Sequence, residues 1–145
     1  MENYSSVQAD ENRNLRYTLF GVLHRTDGPA IEYDNGDGEW YINGELHRED
    51  GPAIEYVNGH REWYINGVHH RIPGPAVEYN DGGRAWLQYG KLHREDGPAY
   101  ETAFGDREWY LNGKLHREGG PAVDWADGRR EYWINGIRQP DPEEN

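Results

Sequence analysis

The sequence predicts an all-β protein, a single-layer antiparallel β-meander of five 23-residue hairpin repeats plus a capping strand, elongated and twisted. Three observations predict it. A His-Arg pair and a Gly-Pro-Ala triplet recur every 23 residues, starting at His24 and Gly28. Each repeat carries turn signals between short runs rich in aromatic and β-branched residues, which is typical of strands. No segment shows the periodicity of an amphipathic helix.

The repeats define the predicted organisation of the chain. Residues 1–14 are predicted to be a polar N-terminal tail, 15–136 the repeat array and 137–145 an acidic C-terminal tail. A lone strand around 17–20 is expected to open the array. The five repeats cover 21–43, 44–66, 67–89, 90–112 and 113–135.

The second repeat shows why each element is expected. Residues 53–56 alternate apolar and polar side chains, as a half-buried strand does. Asn58-Gly59 predicts a two-residue type I′ hairpin turn, in which both residues need positive φ. Residues 61–65 form the second strand, and Asn66-Gly67 turns the chain again. The following stretch 70–75 is expected to be a loop, because Pro cannot donate to a strand ladder.

Composition excludes several classes of function. The chain has 27 acidic and 15 basic residues, so its net charge is −12, and it has no cysteine. Disulfides, thiol nucleophiles and Cys-type zinc sites are therefore excluded. No apolar run is long enough to span a bilayer, and no signal peptide is recognisable. The acidic balance argues against direct contact with nucleic acid or a membrane and favours a basic protein partner.

The repeat resembles the MORN family, whose unit also has about 23 residues. Shared features are an aromatic residue before Asn-Gly and a His three residues after that Gly, as in Trp63, Asn66-Gly67 and His70, and in Trp109, Asn112-Gly113 and His116. This chain departs in having Arg directly after each His, and Leu-His-Arg-Glu-Asp-Gly-Pro-Ala resembles a divergent subtype of bacterial and viral repeat proteins. The resemblance implies an elongated sheet that serves as a scaffold or binding surface.

The hairpin register decides which side chains share a face. A two-residue loop at Asn58-Gly59 pairs Ile54 with Trp63 and Glu55 with Glu62, giving one apolar stripe and one acidic ladder. A three-residue loop would instead place Glu55 beside Arg61 as an ordinary salt bridge. The candidate partner-binding residues follow from the first register: Glu32, Glu39, Glu55, Glu62, Glu101, Glu108, Asp124 and Glu131, with Tyr41, Tyr64 and Tyr110 on the same face.

The periodic histidines are expected to be structural. Equivalent residues of successive repeats recur about every 9.6 Å, two strands apart, so neighbouring His side chains cannot share one zinc ion. His and Arg are predicted to fix the loop, with help from Asp27, Asp50 or Asp96. No P-loop precedes a helix, and Ser occurs only at Ser5 and Ser6. The sequence therefore predicts no enzyme activity, no catalytic residue, no metal site and no cofactor.

These expectations combine into a non-enzymatic acidic protein that blocks a basic, nucleic-acid-binding groove of a partner. The resemblance to viral repeats implies a phage anti-defence role, similar to an anti-CRISPR inhibitor, in the cytoplasm of the host cell. Its centre is expected on the first two repeats, which carry a net charge of −7. The alternatives are a structural scaffold or antitoxin-like protein, which can self-associate through sheet edges, and a protein that sequesters a nucleotide between repeats.

Overall fold

The computed structural model describes residues 3–144, and their regular structure consists only of β-strands, all of them antiparallel. Most strands are two residues long. In chain order they are β1 (Ser6–Ala9), β2 (Leu15–Leu19), β3 (Val22–Leu23), β4 (Ile31–Glu32), β5 (Gly38–Glu39), β6 (Tyr41–Ile42), β7 (Glu45–Leu46), β8 (Ile54–Glu55), β9 (Arg61–Glu62), β10 (Tyr64–Ile65), β11 (Val68–His69), β12 (Val77–Glu78), β13 (Arg84–Ala85), β14 (Leu87–Gln88), β15 (Lys91–Leu92), β16 (Tyr100–Glu101), β17 (Arg107–Glu108), β18 (Tyr110–Leu111), β19 (Lys114–Leu115), β20 (Val123–Asp124), β21 (Arg130–Ile134) and β22 (Ile137–Gln139).

The chain divides into two compact halves, Met1–His70 and Arg71–Asn145. In the N-terminal half the main sheet has the order β1-β2-β4-β5-β8-β9, and in the C-terminal half it has the order β12-β13-β16-β17-β20-β21-β22. Small two-strand ribbons, such as β6-β7 and β18-β19, alternate with these hairpins. The predicted all-β, single-layer antiparallel meander is therefore confirmed.

The two Asn-Gly dipeptides of the second repeat form different turns. At Asn66-Gly67 both residues have positive φ, 48° and 75°, so this is the two-residue type I′ turn that closes β10-β11. At Asn58-Gly59 only the Gly is left-handed, with φ 95°. There the Tyr56 N–H donates to the His60 carbonyl at 3.0 Å, which encloses a three-residue loop. The predicted two-residue turn at Asn58-Gly59 is therefore wrong.

The longer loop shifts the register by one residue and changes which side chains share a face. Ile54 lies opposite Glu62, and Glu55 lies opposite Arg61. The predicted pairs Ile54–Trp63 and Glu55–Glu62 do not form. The same register recurs in the other repeats, as Ile31 with Glu39, Tyr100 with Glu108, Glu101 with Arg107, Val123 with Glu131, and Asp124 with Arg130. The acidic ladder therefore does not exist: its carboxylates are divided between the two faces of the sheet.

The N-terminal segment is part of the sheet, which corrects the predicted loose tail over 1–14 for its described residues. β1 pairs with β2 through Gln8 opposite Arg16 and Ala9 opposite Leu15. These positions lie 23 residues before Ile31 opposite Glu39 and Glu32 opposite Gly38. Residues 3–20 are thus a divergent additional repeat, because a backbone ladder can form after the marker side chains are lost. Residues 1 and 2 lie outside the described part.

The C-terminal segment likewise extends the array. β22 pairs with β21 across Ile134 opposite Ile137 and Trp133 opposite Arg138. The predicted acidic tail over 137–145 therefore begins with an edge strand. Pro140 follows this strand directly, and a Pro at that place limits further pairing. Residue 145 lies outside the described part.

The buried interior is small and is built from the Gly-Pro-Ala triplets. The Ala of every triplet is completely buried, and a β-branched residue next to it is buried in four repeats. These residues are Ala30, Ala53, Ala76, Ala99 and Ala122, with Ile31, Ile54, Val77 and Val123. Among the described residues no large side chain is fully buried. We infer that hydrogen bonds and stacked rings carry much of the stability.

Candidate functional site

Each repeat has a His-Arg loop, which we define as the segment from its His to the Pro of Gly-Pro-Ala: 24–29, 47–52, 70–75, 93–98 and 116–121. The His secures one end of the loop. His47 Nδ1 accepts the backbone N–H of Asn66 at 3.1 Å, and His24 does the same with Asn43. The fourth and fifth repeats show the equivalent bond to Asn112 and Asn135. The His thus ties its loop to the type I′ turn of the same repeat, as the structural interpretation predicts.

The Arg secures the other end. The Arg48 guanidinium carbon lies 4.1 Å from the ring centre of Trp40, in the preceding repeat. Its Nε donates to Asp50 at 2.9 Å and its Nη1 to the Pro52 carbonyl at 3.1 Å. A Cβ on Gly51 would lie 2.8 Å from this guanidinium, so the Gly is required by close packing. The same stacking occurs for Arg25 on Tyr17, Arg94 on Trp86 and Arg117 on Trp109.

Consecutive His-Arg loops enclose a groove whose floor is the stacked tryptophan. The groove over Trp40 has a volume of about 660 Å³ and is lined by Arg25, Gly28, Ile42 and His47 among others. The equivalent groove over Trp109 has about 600 Å³. The groove over Trp86 is smaller, about 220 Å³, and one wall carries Ile72 and Pro73 where other loops have acidic residues. Grooves of this kind, in the size range of ligand sites, were not foreseen from the sequence.

The rims of these grooves carry the most exposed carboxylates. The side chains of Glu49 and Asp50 are 85% and 87% exposed, and those of Glu95 and Asp96 are both 85% exposed. Asp50 and Asp96 each receive a hydrogen bond from the Arg of their own loop, which lowers the pKa of Asp96. The nearest cationic group to Glu49 is His47, 3.7 Å away. The loop edge therefore presents ionised carboxylates to solvent.

On one face of the sheet, the predicted acidic residues are paired with arginine. Glu55 Oε1 lies 3.5 Å from Arg61 Nε, and a second Arg, Arg48, lies 3.8 Å from Oε2. Arg25 binds Glu32 through its Nη1. The equivalent pairs in the C-terminal half are Arg84 with Glu101 at 3.8 Å and Arg130 with Asp124 at 3.5 Å. Much of the negative charge of this row is thus neutralised within the protein.

On the other face, the predicted acidic residues accept hydrogen bonds from aromatic side chains. Glu39 accepts from the hydroxyls of Tyr33 and Tyr41, both at 3.0 Å. Burial and the bond to Glu39 raise the pKa of Tyr41 to about 12. Glu108 accepts from Tyr110 at 2.8 Å, and the same causes raise the pKa of Tyr110. In the last repeat Glu131 accepts from Trp133 Nε1 at 2.9 Å and pairs with Arg138 at 3.3 Å.

Glu62 is the most strongly bound of these carboxylates. It lies 2.7 Å from His60 Nε2 and 2.6 Å from His69 Nε2, and it accepts the Tyr64 hydroxyl at 2.9 Å. The bond to His69 is the main cause that lowers the pKa of Glu62 to about 2; burial opposes it, and bonds from His60 and Tyr64 add to it. The sequence signal for this cluster is that His60 and His69 are the two histidines outside the 23-residue period.

Comparison with known proteins gives no relative. No family model matches the chain, and no curated protein is significantly similar to it. The likeness to MORN repeats therefore remains a resemblance of spacing and motif. Within residues 3–144, no group of three or more His, Asp or Glu side chains is arranged to hold a metal ion. The same residues include no helix that is long and apolar enough to cross a membrane.

Proposed function

We propose that this protein is a non-enzymatic binding protein that occupies a basic surface of a partner through the rims of its His-Arg loops. The supporting observation is the contrast in exposure between two sets of carboxylates. Those of the strands are held by Arg, His or Tyr, whereas Glu49 and Glu95 are 85% exposed and have no Arg, Lys or Tyr partner among the described residues. A carboxylate that is still hydrated and uncompensated can attract a cationic partner over a Debye length.

The charge distribution places the proposed surface in the N-terminal half. Residues 1–70 contain 13 acidic and five basic residues, a net charge of −8, while 71–145 contribute −4. Position for position, Glu45 is replaced by Lys91 and Lys114 in later repeats. The loops 24–29 and 47–52, with the groove between them, are therefore the part of the surface best suited to a basic partner.

Blocking of nucleic-acid binding is the form of this function that the charge favours. A groove that binds nucleic acid is lined by Lys and Arg, which an acidic rim can occupy in place of phosphates. In this proposal a phage-encoded inhibitor of a bacterial defence nuclease is the concrete example. Tyr41, Tyr64 and Tyr110 act inside the protein as donors to carboxylates rather than as interface anchors.

The proposal is tested by competition for an arginine-rich peptide bound to a labelled DNA duplex. Addition of the protein should displace the peptide from DNA, and the displacement should weaken as salt is raised. The double variant Glu49→Gln with Asp50→Asn should lose about tenfold in potency, because each removes a rim charge in the acidic half. The matched control, Glu95→Gln with Asp96→Asn, makes the same change at equivalent positions of the C-terminal half and should lose less.

Equal potency of wild type and both variants would contradict the proposal, as would a complete lack of displacement at low salt. A scaffold that self-associates through sheet edges would instead show concentration-dependent mass and no competition. A nucleotide-sequestering protein would show a rise in melting temperature with added nucleotide, because a ligand that binds only the folded state stabilises it. Either result in place of competition would replace the proposed function with that alternative.

A further inference from the structure

The first groove of the array is filled by the chain itself. Tyr17 takes the place that Trp40 has one repeat later, and Thr26 takes the place of Glu49. Over Tyr17 lies the ring of Tyr4, edge-on, with ring centres 4.9 Å apart, and Arg25 stacks 3.9 Å from the Tyr17 ring centre. An aromatic side chain that inserts beside an Arg-backed ring is thus present in the structure.

The neighbouring residue of the same segment bonds to the loop. Asn3 Oδ1 accepts the backbone N–H of Thr26 at 2.6 Å and its hydroxyl at 2.9 Å. The equivalent backbone N–H groups, those of Glu49, Glu95 and Glu118, have no acceptor among the described residues. The divergent first repeat therefore shows both parts of an occupied groove, an inserted ring and an amide oxygen on the loop N–H.

We propose that the open grooves over Trp40 and Trp109 each bind an aromatic side chain from an extended segment of the basic partner. An oxygen of the preceding residue accepts the free loop N–H, as Asn3 does for Thr26. This inference rests on the proposed function and specifies how the partner is recognised. The volumes of about 660 and 600 Å³ leave room for a ring and its backbone.

The rim chemistry specifies the residues that flank the aromatic one. Where Tyr4 is seated the loop carries Thr26 and Asp27, while the open grooves carry Glu49 with Asp50 and Glu118 with Glu95 across from it. An acidic flank would meet repulsion there, and a Lys or Arg flank would meet complementary charge. The expected recognition unit is therefore an aromatic residue next to Lys or Arg.

The test uses short acetylated and amidated peptides of sequence Arg-Asn-Tyr-Arg, with Arg-Asn-Ala-Arg and Glu-Asn-Tyr-Glu as matched probes. Binding is measured by fluorescence anisotropy, and a benzoylphenylalanine in place of the Tyr is photo-crosslinked and located by mass spectrometry. The Tyr peptide should bind about tenfold more tightly than the Ala peptide, the range expected for burying an aromatic side chain. Crosslinks should fall on the grooves, at Trp40, Ile42, Trp109 or Leu111.

Protein variants separate the groove from the rest of the surface. Ile42→Trp with Leu111→Trp fills both grooves without changing charge and should weaken the Tyr peptide about tenfold. Val57→Trp with Phe104→Trp makes the same kind of change at exposed hairpin loops and should leave binding unchanged. Equal affinity of the Tyr and Ala peptides, or crosslinks confined to residues outside the grooves, would overturn the inference.

The outcomes also distinguish this inference from the proposed function. If the Tyr and Ala peptides bind equally and both are weakened by Glu49→Gln with Asp50→Asn, the aromatic groove is wrong and the acidic rim stands. If the Arg-flanked and Glu-flanked Tyr peptides bind equally, the basic partner is wrong and the aromatic insertion stands. If no peptide binds at low salt, both are contradicted.

Discussion

At the scale of single residues, one arginine per repeat organises its neighbours. Its guanidinium needs a ring on one side, a Gly on the other and a carbonyl at its edge, and these requirements explain the Trp, Gly and Pro that recur with it. The acid two residues later is less important. Pro73 and Gly119 replace it in two repeats, and the bond from Arg to the Pro carbonyl persists there at 3.0 and 3.1 Å.

The residue-scale prediction concerns Glu62. Its pKa in the folded protein, about 2, lies below its ordinary value of 4.5, so its stabilising effect is complete above about 4.5 and disappears as the pH falls to about 2. Glu62→Gln should lower the free energy of unfolding by about 1–2 kcal/mol near neutral pH. The difference from wild type, measured by urea denaturation, should shrink as the pH approaches 2.

The matched control for Glu62 is Glu49→Gln, because Glu49 is exposed and makes only a long contact to His47. Its stability should equal that of wild type at every pH. A constant difference between Glu62→Gln and wild type across the acidic range would contradict the assigned ion pairs with His60 and His69.

At the scale of the elements, the hairpin loops show what the sequence could and could not predict. The 23-residue period and the turn residues were sufficient for the all-β meander, and the invariant spacing of His and Arg was sufficient for their structural role. The register was not predictable from Asn58-Gly59, because Gly with positive φ suits both a type I′ turn and a type I turn with a bulge. The alternative with Glu55 opposite Arg61 was recognisable only as one of two options.

Other features escaped sequence reasoning for physical reasons of their own. β1 and the groove-filling Tyr4 lack the marker residues, and backbone pairing leaves no residue signature. The grooves depend on the depth between loops that are distant in sequence. The carboxylates of the strands were correctly expected to lie in regular rows, but their neutralisation by Arg, His and Tyr follows from the register that the sequence left open.

The element-scale prediction tests this register with engineered disulfides, which is convenient because the chain has no cysteine. Glu55→Cys with Arg61→Cys joins residues that lie directly opposite, so this pair should oxidise in air to an intramolecular disulfide. Glu55→Cys with Glu62→Cys joins residues on opposite faces and should keep two free thiols. Thiol titration measures both, and the reverse pattern would restore the two-residue loop.

At the scale of the whole molecule, a net charge of −12 becomes a specific distribution. The strand carboxylates are bound internally, the loop carboxylates are exposed, and the N-terminal half carries twice the net charge of the C-terminal half. Charge that is already paired within the protein adds little to the attraction of a partner, whereas exposed charge steers association. The acidic composition therefore indicates a function at the loop edge rather than on the faces of the sheet.

The most direct measurement is a residue-resolved NMR titration of the labelled protein with an arginine-rich peptide. The account predicts that the largest amide shift changes fall on loops 24–29 and 47–52 and disappear in the variant Glu49→Gln with Asp50→Asn. Shift changes centred on Glu39, Glu55 and Glu62 and insensitive to that variant would contradict it, because they would place the basic ligand on the faces of the sheet.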